Sequence, residues 1–144
     1  MSLPQTKLRE AVFYVIFSQD FLGETQDKES VDTIAMIMEI LEMSRSNVRL
    51  AWERAELILE KKDEIDAILK DYVVSYGMDR ISCVERNVLR LSTYELLFDK
   101  EIPEVVAIAE GMRLGRKFGV IQGANFINGV LDALYKNQQV LLTQ

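Results

Sequence analysis

The chain has no histidine and a single cysteine, Cys83. The first absence excludes His-based catalytic triads and His-ligated metal sites. The second excludes an internal disulfide and a thiolate zinc centre, and fits a reducing, cytoplasmic setting. Two prolines and seven glycines in 144 residues leave no room for collagen-like repeats or a disordered Pro/Gly tract. No apolar run approaches the roughly 18–20 residues of a membrane span. No apolar segment followed by a small-residue cleavage site marks a signal peptide near the N-terminus.

What is present is a core-forming composition. Hydrophobic residues make up 49% of the chain and charged residues 28%. A domain of this size buries roughly 70% of the surface its unfolded chain exposes, so residues 1–144 are expected to form one compact domain. The net charge of −6 argues against nucleic acid at first sight. Its distribution softens that argument. Residues 21–71 carry 7 basic and 13 acidic side chains, while residues 1–20 and 72–144 are each balanced. A polyanion can therefore approach a surface built from the two ends.

The periodicity is helical throughout and predicts an all-α fold of about seven helices. From Lys7 to Asp20, Leu8, Ala11, Val12, Val15 and Ile16 form one stripe; Phe13, Phe17 and Phe21 form a second. A helix apolar on most of its circumference is expected to be buried, and Gly23 to end it. A second helix is predicted over about 30–43, and a third is capped by Ser44 or Ser46. Lys61-Lys62-Asp63-Glu64 reads as a break, after which the pattern resumes until Gly77. Ser82-Cys83-Val84-Glu85 has capping-box form and opens a strong helix. Pro103 is placed at the first position of the next helix, which ends at Gly119. A last helix covers about 122–137. No segment has the pattern of a strand.

Catalytic motifs are missing. Gly111, Gly115 and Gly119 continue a row from Ala107 at every fourth position, which is neither a P-loop nor a GxGxxG turn. Each interior glycine costs about 1 kcal/mol against alanine. Close packing of a neighbouring helix explains the row more simply than a partner groove. Cys83 follows the N-cap position of that capping box but reads as an ordinary first-turn residue. Basic and aromatic residues in proximity would signal nucleic acid. The candidates are Lys7, Arg9, Arg86, Arg90, Arg113, Arg116 and Lys117, with Phe17, Tyr72, Tyr76 and Phe126. Glu85 and Glu95 offer ordinary partners to Arg86 and Arg90 along the same helix.

Longer motifs then emerge. Val84-Glu85-Arg86-Asn87-Val88-Leu89-Arg90-Leu91-Ser92-Thr93-Tyr94-Glu95-Leu96-Leu97 resembles the transcription antitermination factors of the NusB family. Ile102-Pro103 with Val106-Ala107-Ile108-Ala109-Glu110 is similar to that family's IP..VAINEA stretch. Lys117-Phe118-Gly119 and Phe126-Ile127-Asn128-Gly129-Val130-Leu131-Asp132 resemble its KFG and FVNGVLD pieces. The similarity is good over about 80–137, and Arg9-Glu10-Ala11 resembles the first helix. Residues 23–79 match only in helical character.

The resemblance implies an all-helical protein of two small bundles packed together, here about 4–76 and 80–137. It implies no enzyme activity, no cofactor and no metal. It implies binding of single-stranded boxA RNA in ribosomal RNA leaders, jointly with the ribosomal protein NusE, within an RNA polymerase antitermination complex. By matching position, the RNA-facing residues are Lys7, Arg9, Phe17, Tyr72, Glu85, Arg86, Gln122 and Phe126. Arg90 and Glu95 are expected to serve packing or the partner surface. Basic groups would neutralise phosphates, aromatics would stack bases, and Glu85 would accept hydrogen bonds from base edges. The chain departs from the family in lacking an arginine-rich start, in Gln122-Gly123 where an acidic residue and serine are common, and at Val105 and Ala109. Two other readings stay open: an RNA-blind interaction or homodimer module, and a fragment of an rRNA cytosine methyltransferase with a NusB-like domain.

Overall fold

A computed structural model describes residues 3–22, 31–73 and 81–143. It contains seven α-helices and no strand among the described residues: α1 (Gln5–Leu22), α2 (Val31–Leu41), α3 (Arg45–Glu60), α4 (Lys62–Lys70), α5 (Cys83–Leu97), α6 (Glu104–Phe118) and α7 (Ile121–Thr143). The expected helix ends at Gly23 and Gly77 lie outside the described residues, as does Tyr76. The chain divides into two compact units, Met1–Glu60 and Lys61–Gln144. The division expected near residues 76–80 therefore falls earlier, because α4 packs on α5.

In the first unit, α1, α2 and α3 pack pairwise. Val15, Ile34, Ile37, Val48, Ala51 and Trp52 are buried within it. The link between α2 and α3 is short and specific. Glu42 has φ 52°, and the Met43 N–H reaches back to the Met38 carbonyl at 3.0 Å, a left-handed helix end. Ser44 then caps α3 by accepting from the Asn47 N–H at 3.2 Å, which decides between the two candidate serines. The aromatic stripe of α1 runs out of the core instead of being buried whole. Phe13 is buried, Phe17 is half-buried and Phe21 is 71% exposed.

In the second unit, α4 starts inside the charged stretch that reads as a break. Lys61 alone interrupts the helices; Asp63 and Glu64 form the first turn of α4, and Lys70 lies in its last turn. That order of charge suits the helix dipole. The helix stops at Lys70, short of the expected run. Pro103 is the N-cap of α6 rather than its first helical residue, with φ −60° and ψ 143°. The last helix extends beyond 137, to Thr143.

The α5, α6 and α7 helices pack on one another through the row of small residues. A Cβ on Gly111 would stand 2.7 Å from Ser92 Oγ and 2.8 Å from Leu131 Cδ1. One on Gly115 would stand 2.8 Å from Ile127 Cδ1 and 3.2 Å from Ala124 Cα. Ala107 joins Leu96 and Leu134 in a buried cluster. The row is a packing face, and Gly119 is the helix end beyond it.

Candidate nucleic-acid interface

The two helix segments that carry Glu85 and Arg86, and Gln122 and Phe126, meet within the second unit. Ser82 caps α5: its Oγ accepts from the Glu85 N–H at 3.1 Å, and Glu85 Oε2 accepts from the Ser82 N–H at 3.0 Å. This is the capping box that the Ser-x-x-Glu spacing predicts. The other carboxylate oxygen, Oε1, lies against the first turn of α7, 2.8 Å from where a Cβ on Gly123 would stand. Glu85 and Arg86 on α5 thereby meet the segment of α7 that carries Gln122 and Phe126. Arg86 and Phe126 are half-buried and Gln122 is exposed. Glu85 is half committed to its own helix, so only Oε1 remains as a free-standing acceptor for the base-edge role. Gly123 was not among the expected site residues; only its departure from the family pattern marked it.

Tyr72 sits just beyond α4, with its N–H on the Leu69 carbonyl at 2.9 Å. Its ring packs against the cluster of Leu96, Ala107 and Leu134. Its hydroxyl accepts from Asn137 Nδ2 of α7 at 2.8 Å. The two residues are far apart in sequence, and no local signal links them.

Arg90 belongs to packing. It is 5% exposed and holds Asp66 of α4 in a two-pronged pair, Nε to Oδ1 at 2.9 Å and Nη2 to Oδ2 at 2.8 Å. Its Nη1 donates to Asn87 Oδ1 at 3.2 Å, and Asn87 Nδ2 donates to the Cys83 carbonyl at 2.8 Å and to Cys83 Sγ at 3.4 Å. This fork partner thus comes from another helix. Glu95 is also buried. Arg113 forks onto Glu110 one turn before it, which places that cation in an ion pair. Arg116 and Lys117, in the last turn of α6, are exposed.

In the first unit, Lys7 is half-buried at the start of α1. Arg9 departs from expectation: it is only 5% exposed, so its guanidinium is withdrawn from direct contact with phosphate. The helical twist turns Lys7 outward and Arg9, two positions on, toward the buried side. The Phe17 ring stands between Phe13, with centroids 5.6 Å apart, and Phe21, at 5.9 Å with planes 9° apart. The open ring of this ladder is Phe21.

Among the described residues no group of His, Cys, Asp and Glu is placed to hold a metal ion. No helix there is long and apolar enough to cross a membrane. Residues 6–136 match the model of the NusB family. The chain is 34% identical over 137 residues to the transcription antitermination protein NusB of Clostridium perfringens, covering 94% of this chain and 98% of that one. It is similar to the solved structure of T. maritima NusB, at 33% identity and a TM-score of 0.77, covering 94% of this chain and 93% of that chain. It is also similar to a chain in the crystal structure of the antitermination factors NusB and NusE with double-stranded RNA, at 25% identity and a TM-score of 0.75, covering 92% and 96%.

Proposed function

The chain belongs to the NusB family of transcription antitermination factors, and we propose that it binds boxA-type single-stranded RNA of ribosomal RNA leaders jointly with NusE. In this reading it is a cytoplasmic binding protein that promotes ribosomal RNA transcription within an RNA polymerase antitermination complex, and it is not an enzyme. The observation that carries the reading is the meeting of the first turns of α5 and α7, where Glu85 lies against Gly123; Arg86 follows Glu85 on α5, and Gln122 and Phe126 lie on the same stretch of α7. A cation, an acceptor, an amide and an aromatic ring are the groups that unpaired bases and their phosphates require. Tyr72 of the same unit is a further RNA-facing residue in this reading, and Lys7 and Phe17 are those of the first unit. Arg9 acts within α1, since it is buried. A relative solved with NusE and RNA supports both partners.

The charge supports shared rather than solitary recognition. With a net charge of −6 and few exposed cations on α1, the chain alone offers little counterion release. The test is a titration of a short boxA-type RNA with the chain alone and with purified NusE, at two salt concentrations. Tight, salt-sensitive binding that requires NusE is the expected result. No binding in either case, with the protein folded, favours the second reading, an RNA-blind interaction or homodimer module, which the same net charge favours.

A further inference from the structure

The α3 helix carries its charges against its own dipole. Its first turn holds Arg45 and no acidic residue, and its last turn holds Glu60 and no basic one. In α4 and α6 the order is the favourable one, acidic first and basic last. Within α3 like charges are also neighbours. Arg45 and Arg49 are one turn apart, and so are Glu56 and Glu60, a spacing at which like charges destabilise a helix. All four side chains are exposed. They share one edge of the helix, since the gaps of four, seven and four residues are each close to whole turns. The order along that edge is basic, basic, acidic, acidic, so it reads the same backwards with the signs exchanged.

Beside this edge runs a second stripe. Ser46, Leu50, Glu53 and Leu57 recur at gaps of four, three and four, the spacing of a coiled-coil seam. The opposite side of α3 is the buried one, with Val48, Ala51, Trp52, Ala55 and Ile58. Leu50 is 47% exposed and Leu57 is 50% exposed. They stand about 10 Å apart along the axis, with Glu53 between them. One exposed leucine is ordinary. Two at the same heptad position, beside an edge whose charge order weakens the isolated helix, call for a joint explanation.

We propose that two copies of the chain pair through α3, antiparallel, about a twofold axis beside Glu53. Leu50 of each copy then meets Leu57 of the other. On the flanking edge Arg45 faces Glu60 and Arg49 faces Glu56, twice over, and the two helix dipoles oppose each other. A twofold interface requires a self-complementary patch, and this edge has that property in its sequence. The charge order that opposes the dipole in one copy sets the register between two. Glu53 works against the pairing, since it faces its own copy near the axis. A helix of an unrelated protein is the competing occupant, but it would not require a palindromic charge order. One helix pair buries less than roughly 1,200 Å², so the dimer is weak and concentration-dependent. The pairing goes beyond the RNA-binding reading and does not depend on it, so its test contains no RNA.

The experiment is sedimentation equilibrium of the full chain from about 10 μM to about 1 mM, with a thermal melt to confirm that each variant is folded. The native chain should approach the mass of a dimer, and less so in high salt, which screens exposed charge pairs. Leu50→Gln or Leu57→Gln should weaken association about tenfold or more and leave the melting temperature unchanged, because both side chains are exposed in the single copy. Glu53→Gln should tighten association, whereas Glu39→Gln, the same charge change at an exposed position of α2, should not. Charge exchange tests the register. Arg45→Glu with Arg49→Glu makes the edge wholly acidic, and Glu56→Arg with Glu60→Arg makes it wholly basic. Each double variant alone should stay monomeric, and an equimolar mixture of the two should recover the dimer. A native chain that is monomeric up to about 1 mM would overturn the proposal. So would a dimer that survives both leucine substitutions, since another face would then hold it. Double variants that self-associate as the native chain does, or that fail to associate when mixed, would overturn it as well.

Discussion

One carboxylate, that of Glu85, closes the first turn of α5 through Ser82 and lies 2.8 Å from the Cβ position of Gly123 on α7. The oxygen that touches α7 is not the one that caps α5. Any side chain at 123 must therefore push Glu85 away from the place where its cap bond is made. Gly123→Ala should lose the reciprocal half of the capping box, at a cost of about 0.5–2 kcal/mol, partly offset by the better helix propensity of alanine. In a Glu85→Ala background the same substitution should be neutral or stabilising. Denaturant melts of the four proteins in this cycle measure the coupling. Additive effects would mean that the two side chains do not share the space.

Arg90→Met should destabilise the second unit by about 2–4 kcal/mol, because it leaves the Asp66 carboxylate without its fork. Asp66 retains some exposure, which keeps the loss below that of a fully buried pair. The double variant Arg90→Met with Asp66→Leu should recover much of it. Urea unfolding gives both numbers, and equal losses in single and double variants would show that the pair contributes little.

Gly115→Ala should destabilise the fold by about 1–2 kcal/mol, since overpacking against the Ala124 backbone outweighs the roughly 1 kcal/mol gain in helix propensity. The Ile127 methyl can turn aside; the Ala124 Cα cannot without moving α7. A stabilised Gly115→Ala protein would show that the helices have room to separate.

Lys7→Ala should reduce the salt dependence of RNA binding in the presence of NusE by about 0.7 in the slope of log K against log salt, the value for one phosphate contact on a single strand. Arg9→Ala should instead lower the melting temperature, because Arg9 is buried. A salt slope that falls with Arg9→Ala and not with Lys7→Ala would reverse the two assignments.

What was legible in the chain was local. Ser82 and Glu85 are three residues apart, and their cap is as the spacing predicts. The small residues at 107, 111 and 115 face neighbouring helices, as a row at every fourth position implies. Seven helices follow from apolar periodicity alone. What escaped was set by tertiary contact. The Asp66 partner of Arg90 lies 24 residues away and the Asn137 partner of Tyr72 lies 65 away, so neither pair leaves a mark on a helical wheel. Lys61 to Glu64 looked like a break because the charges are dense, yet acidic residues suit the first turn of a helix. Phe21 and Arg9 exchanged their expected environments, one exposed and one buried, because composition does not say where a helix leaves the core.

The single thiol is the first link of a relay. Cys83 receives two bonds from Asn87, Asn87 holds Arg90, and Arg90 holds Asp66. A maleimide dye on this cysteine is therefore no neutral attachment. It crowds the Asn87 amide and loosens the grip of α5 on α4, just ahead of Tyr72. A fluorescent version of this protein is better labelled at an introduced surface cysteine, with Cys83 changed to serine to keep a small polar group beside the amide.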